Sequence, residues 1–324
     1  MATIAEQLTS LANTKTAIKD AIVAKGVMVE DDTPFSGYAA KIGEIQSGGG
    51  VPVTKFGLSI DDLLGNVDVN GNYVFPNGGG KFDGTGIKNI TQYAFYYKFH
   101  KGNITEFHMP DLESVGSYGL GYVCSGDENL IVVDMPNIKT FDTFCMQHAF
   151  YGTGVISENV FINQTEISGS FTFSNIFSRT KLTTTSLHNV VKCSGSYTLN
   201  GGYSACDELL ETGLENLEEI NGSSVLASTF QACKKLTTTG LVKLKKVSGS
   251  SACSNMFNGC IGLTKEYFYE LVEVNTANAL DTMFSGCGGI TEIHFRADAQ
   301  AVIEGLIGYD KKFGATNAQI IFDL

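Results

Sequence analysis

Between residues 181 and 295, apolar and polar positions recur every 27 residues. Leu182, Leu209, Leu236, Leu263 and Ile290 form one apolar column, and Leu187, Leu214, Leu241, Phe268 and Phe295 a second. Val190, Leu217, Leu244 and Leu271 give a third, and Cys193, Ile220, Val247 and Val274 a fourth. Tyr203, Phe230, Phe257 and Phe284 form an aromatic column, Cys206, Cys233, Cys260 and Cys287 a thiol column, and Gly195, Gly222 and Gly249 mark a shared turn. A fixed period of this length predicts a solenoid, in which each turn buries its apolar side only against neighbouring turns. Upstream the period loosens to about 26 residues, linking Met109, Met135 and Phe161 to Leu187, and Ile104, Leu130 and Ile156 to Leu182. Leu112 pairs with Ile138, Val115, Phe141 and Ile167 lead to Cys193, and Ile87 and Ile90 suggest a partial first turn. The spacing predicts about eight turns over residues 81–295.

The flanks follow other patterns. Residues 2–24 predict an amphipathic helix, with Ile4, Leu8, Leu11, Ile18 and Ile22 on one stripe and Gly26 ending it. A second, short helix is expected from Thr33 as N-cap and Pro34 at its first position, with Phe35, Tyr38, Ile42 and Ile45 on its apolar side. The unit 1–46 is small for independent folding, so either the two helices dock on each other or copies of the chain associate through them. Residues 47–50, Ser-Gly-Gly-Gly, read as a flexible linker, and 51–80 as an N-terminal solenoid cap with strands near 51–58 and 72–75. Beyond Phe295, residues 297–307 predict a helix and 318–322 a final strand, a C-terminal cap over 296–324.

Charge supports the register. Adding 27 takes Asp207 to Lys234, Glu208 to Lys235, Glu218 to Lys245, Glu219 to Lys246, and Lys246 to Glu273, so opposite charges would face each other across adjoining turns. The net charge of −12 argues against nucleic acid or an anionic membrane surface as the main partner. No apolar stretch predicts a membrane span and no secretory signal is visible. The 8 cysteines include no Cys-x-x-Cys pair, and the four in the repeat column are expected to be buried, reduced thiols, although adjoining turns could also bring them within disulfide reach.

Several segments resemble known families. Ala149-Phe150, Met256-Phe257-Asn258-Gly259-Cys260 and Met283-Phe284-Ser285-Gly286-Cys287 resemble leucine-rich repeats of the bacterial surface antigen A type, which run a few residues shorter. Asn13-Thr14-Lys15-Thr16-Ala17-Ile18-Lys19, Ala24-Lys25-Gly26-Val27 and the stretch from Pro34 to Ile42 are similar to a module of bacteriophage tail fibres. Lys312-Phe313-Gly314-Ala315-Thr316-Asn317-Ala318 resembles the end of phage proteins carrying such repeats. The resemblances imply a mainly β fold, a right-handed leucine-rich-repeat-like solenoid with a small N-terminal α-helical unit and an α/β C-terminal cap. They also imply a virion tail protein, made in the host cytoplasm without a signal peptide, that recognises a bacterial surface glycan or protein receptor. Residues 1–46 would contact other tail or baseplate proteins and assemble the chain, with a trimer favoured. A bacterial surface adhesin or scaffold, and a tail-associated polysaccharide depolymerase, are the competing expectations.

Candidate chemistry is sparse. Gly78-Gly79-Gly80-Lys81 lacks the following Ser or Thr of a phosphate loop, no Gly-x-Ser-x-Gly elbow occurs, and Cys145 and His148 form a single pair without a second. No enzyme activity, metal or cofactor is therefore expected, although two carboxylates on adjoining turns could act as a glycosidase pair. The surface singled out is the aromatic cluster of the first turns, where Tyr93, Phe95, Tyr96, Tyr97, Phe99 and His100 come close together and Tyr118 and Tyr122 follow one turn on. Some of these must be core. Tyr96, Tyr97, His100, Tyr118 and Tyr122 are the candidate receptor-binding residues, because tyrosine joins a large contact area to a polar handle.

Overall fold

The computed structural model of the chain describes residues 14–16, 18, 19, 34, 38 and 80–324. The chain divides into two compact units, Met1–Ile60 and Asp61–Leu324. In the first, residues 14–16, 18, 19 and Tyr38 are helical, Tyr38 is buried, and the Lys15 ammonium lies 5.7 Å from the centre of the Tyr38 ring. That contact joins the two predicted helical segments. The linker at 47–50 and all of the expected cap except Gly80 lie outside the described residues.

The second unit is a parallel β-solenoid of about nine turns. Each turn contributes to three sides. Gly80–Asp83, Ile104–His108, Val132–Asp134 and Ser157–Glu158 open the first sheet, and Lys265–Phe268, Glu292–Phe295 and Gln319–Phe322 close it. Asn89–Ile90, Ser114–Val115 and Thr140–Phe141 form the start of the second side, which continues through Glu166–Ile167, Lys192–Ser194, Glu219–Asn221, Lys246–Ser248 and Glu273–Val274. The register is the expected one: Glu219 pairs with Lys246 and Lys246 with Glu273, while Ile220, Val247 and Val274 stack beside them. Lys234, Lys235 and Lys245 reach Asp207, Glu208 and Glu218 at 3.2, 2.6 and 2.9 Å. Lys246 turns forward to Glu273 at 2.8 Å, so its ion pair is with the later of its two neighbours. These pairs are exposed and worth a few tenths to about 1 kcal/mol each, enough to oppose a slip but not to hold the fold.

Burial holds it. The aromatic column stacks face to face, with centroid separations of 5.7 Å for Tyr203–Phe230, 5.6 Å for Phe230–Phe257 and 5.9 Å for Phe257–Phe284, and extends back through Phe177 to Phe150. The leucine columns are buried, with one correction. Ile156 is 53 % exposed, and Val155 takes the inward place between Leu130 and Leu182. Thr153 to Val155 spans one residue fewer than the equivalent Asp127 to Leu130, which shifts the alternation by one. A polar ladder runs along one corner: the side-chain amides of Asn137, Asn163, Asn189 and Asn216 each donate to a backbone carbonyl one turn back, at 2.8, 3.0, 2.8 and 2.7 Å.

The first sheet is interrupted for a physical reason. Its inward column, Phe107 then Val133, continues as Glu158, Thr185, Thr212, Thr239 and Glu266 at steps of 27 before returning to Ile293. The Thr185 hydroxyl donates to the Thr212 carbonyl, Thr212 to the Thr239 carbonyl, and Thr239 to Glu266 Oε2, all at 2.7 Å. Side chains thus replace ladder bonds across these turns. Glutamates close the run at both ends. Glu158 accepts from the Ser186 N–H and hydroxyl and from the Val160 N–H. Glu266 is almost wholly buried with Oε1 unpaired, and burial pushes its carboxyl up to about 7, so much of it carries a proton at neutral pH.

The four column thiols are free and buried, and Cys206, Cys233, Cys260 and Cys287 donate to the carbonyls of Phe177, Tyr203, Phe230 and Phe257 at 3.2, 3.2, 3.0 and 2.9 Å. Burial pushes Cys206 and Cys287 up to about 11 and Cys260 to about 12, which removes the reactive thiolate. Thiol labelling of native protein is expected to be slow at all four and complete only after unfolding. Rapid labelling, or disulfides between them by mass spectrometry, would contradict this placement.

The C-terminal segment closes the stack. The expected helix at 297–307 is shorter, a 3-10 turn at Ala297–Ala299 and a helix at Gln300–Glu304, because the chain breaks at Gly305 and turns through left-handed Gly308. Gln319–Phe322 adds the last strand, and buried Phe313 packs on Phe295.

Candidate recognition surface

The third side of the solenoid contains neither strand nor helix. Its backbone alternates: the N–H groups of Tyr93, Phe95, Tyr97, Phe99 and Lys101 donate to carbonyls of the following turn, while those of Ala94, Tyr96, Lys98, His100 and Gly102 close turns onto residues three earlier. Later turns repeat this. The result satisfies the backbone only if certain residues adopt left-handed φ, as Tyr93, Tyr97 and Lys101 do at 59°, 58° and 51°. In later turns those places hold mainly Gly, Asn, Ser or Ala, such as Gly201, Ser224, Ser228 and Asn255. In the first turns two of the three places hold rings, from Tyr93 and Tyr97 to Phe144 and His148, at roughly 1–2 kcal/mol of strain per residue.

Those rings point outward and stack. Because turns repeat at strand spacing, residues in one column lie about 4.7–4.9 Å apart. Tyr93, Tyr118, Phe144, Phe171 and Tyr197 form a continuous pile with centroid separations of 5.1, 4.9, 4.8 and 4.6 Å and planes within 15°. Tyr97, Tyr122 and His148 form a second at 4.6 and 4.7 Å. Tyr96 stands between the two, perpendicular to Tyr93, Tyr97, Tyr118 and Tyr122, in space left by Gly121, where a Cβ would come 3.0 Å from the ring. His100 meets the edge of Tyr97 at 5.4 Å, and the Arg179 guanidinium covers Tyr151 at 5.6 Å. The structure therefore brings all five sequence-selected residues into one patch. Phe95 and Phe99 turn the other way and pack on buried Phe82.

The two piles themselves carry no charge. Burial, then the neighbouring phenols, pushes Tyr96 and Tyr122 upward; Tyr97 also rises, by burial and by Tyr122, so all three keep their hydroxyl protons. Burial lowers His148, whose Nδ1 is shielded and unpaired, and the ring is neutral. Stacking also hides most ring faces, so along the piles it is ring edges and tyrosine hydroxyls that meet solvent. Phe144, Phe171, Tyr197 and His148 belong to this surface although the sequence reading passed over them. The signal was arithmetic: 25, 26, 27 and 26 residues separate the members of the first pile.

Two other clusters share one design. His108 bridges Glu106 and Asp134 at 2.9 and 3.2 Å with Lys81 on Glu106, and His294 bridges Glu292 and Asp323 at 3.1 and 2.8 Å with Lys265 on Glu292. Burial opposes the charge on His294, but its bonds to Asp323 and Glu292 outweigh it and raise its pKa. Both tie adjoining turns together. Cys145 is buried in the core while His148 lies in the outer pile, so that pair faces opposite ways.

No family model matches the chain, and no curated protein matches it. Among solved structures, a leucine-rich repeat protein from Bacteroides ovatus is similar at 12 % identity and a TM-score of 0.36, over 77 % of this chain and 70 % of that one.

Proposed function

We propose that the chain is a non-enzymatic receptor-binding protein of a bacteriophage tail, and that the tyrosine face of its solenoid contacts the bacterial surface. The observation that carries the reading is the outward aromatic double pile, a large neutral apolar surface held at strained backbone positions where later turns use small residues. The resemblance of both ends of the chain to phage tail proteins supplies the setting. Residues 1–46 attach and assemble the chain, as a trimer, and multivalent display raises avidity without new contacts.

Full-length protein is expected to bind host cells, and Tyr97→Ser with Tyr122→Ser to weaken that binding about tenfold or more, a loss of at least ~1.4 kcal/mol. Serine occupies the same backbone conformation at Ser224 and Ser228, so the fold should tolerate both changes. Unchanged cell binding by the folded variant would refute the site. Immunogold labelling of particles should decorate the tail, and light scattering should give three times the chain mass; a bare tail or a monomer would remove the corresponding part. Release of new reducing ends from host capsule would instead make the protein a depolymerase.

A further inference from the structure

The first aromatic pile ends abruptly. Tyr197 stacks on Phe171 at 4.6 Å, and the column then continues as Ser224 and Ser251, with left-handed φ of 52° at both, like the 55° of Tyr197, but without rings. Among the described residues no other ring packs on Tyr197, which is 39 % exposed. One ring face is therefore covered and the other looks onto a step floored by a serine. Beside it the Ser223 carbonyl accepts the Tyr197 N–H at 2.9 Å, while the Ser223 and Ser224 hydroxyls have no partner within the described residues.

We propose that this step is a binding subsite for a pyranose ring of a neutral glycan. The inference rests on the third side being the recognition surface. Between the two ends of the pile, Tyr93 and Tyr197, ring faces are consumed by stacking, and Tyr197 is the end at which an apolar sugar face can lie flat on an aromatic one beside a serine step. The pile spacing of 4.6–5.1 Å accommodates a ring in the next place. A sugar seated there directs its equatorial hydroxyls toward those of Ser223 and Ser224. The column carries no charge from Tyr93 to Ser251, which favours a neutral ligand over an acidic one.

The left-handed backbone shared along the column gives the test. Lysine adopts the same left-handed backbone at Lys101, so Ser224→Lys would lay an aliphatic stem over the open face of Tyr197 without offering a new ring, Tyr197→Lys would remove the platform and cover Phe171 in the same way, and Ser251→Lys would place its stem one turn too far to cover Tyr197. Full-length protein is titrated by calorimetry and saturation-transfer NMR with maltohexaose, cellohexaose, chitohexaose and purified neutral surface polysaccharide of the host. At least one is expected to bind, about tenfold or more weakly in the first two variants and equally in the third. Binding unchanged by Ser224→Lys, or none of these glycans binding the parent, overturns the subsite. If the parent still binds host cells in that case, recognition by the tyrosine face stands and only the glycan step falls.

Discussion

Replacing Phe257 with alanine is expected to destabilise the solenoid by about 3 to 5 kcal/mol. The ring is wholly buried between Phe230 at 5.6 Å and Phe284 at 5.9 Å, and its residue links turns through two further bonds, donating from its N–H to Met283 and accepting the Cys287 thiol. Alanine leaves a gap in a column whose members cannot close up, because their spacing is fixed by the inter-turn hydrogen bonds of all three sides. In a one-dimensional array each turn is stabilised only by its neighbours, so the damage should concentrate where the turn of Phe257 meets those of Phe230 and Phe284. Urea unfolding is expected to show a lowered midpoint or a second, earlier transition, with amide exchange accelerated first beyond residue 257. Ile261→Ala is the control: that side chain is 60 % exposed and its loss should stay within about 0.5 kcal/mol. Equal effects at the two positions would mean that the aromatic column does not carry the core.

How much could be read beforehand depended on whether a residue's environment repeats. Phe230, Phe257, Cys233 and Cys260 were legible because inward positions keep a strict step of 27, and apolar identity and burial agree there. Ile156 misled because one omitted residue reverses which neighbour points inward, a change composition cannot register. Glu158 and Glu266 look like surface acids until their step of 27 to Thr185 and Thr239 places them in an inward column, where hydroxyls and backbone N–H groups take the place of water. The aromatic surface was half legible. Tyr96, Tyr97, His100, Tyr118 and Tyr122 are dense in the sequence, whereas Phe144, Phe171 and Tyr197 are solitary and indistinguishable from core rings such as Phe150 and Phe177. What separates them is the left-handed backbone of the third side, and no residue marks it there, since bulky side chains stand where glycine or asparagine would have signalled it.

Gly222→Ala is expected to cost about 2 to 4 kcal/mol, combining the 1–3 typical of overpacking with about 1 for a side chain on a left-handed backbone. Gly169, Gly195, Gly222 and Gly249 stack at the corner between the second sheet and the aromatic side, with φ of 112°, 99°, 147° and 105°. A Cβ at 222 would land on the Gly195 carbonyl, 2.7 Å from its carbon and closer still to its oxygen. That neighbour is backbone held by its own ladder: Gly195 donates to Asn221 and Gly222 to Ser248, each at 3.0 Å. The clash is therefore relieved only by moving one turn away from the next, which loosens the second-sheet register and the rungs beside it. Gly288→Ala separates crowding from the loss of a glycine as such, because nothing lies within 4 Å of its Cβ position and its φ is unexceptional; it should change stability by less than about 0.5 kcal/mol. Thermal and urea unfolding of the two variants decide the matter, and similar midpoints would mean that the turns are not in contact at this corner. The corner also precedes Ser223 and Ser224, so a displaced turn alters the step beside Tyr197. Gly222→Ala should therefore lose affinity along with stability, in conditions where it remains folded, whereas Gly288→Ala should lose neither.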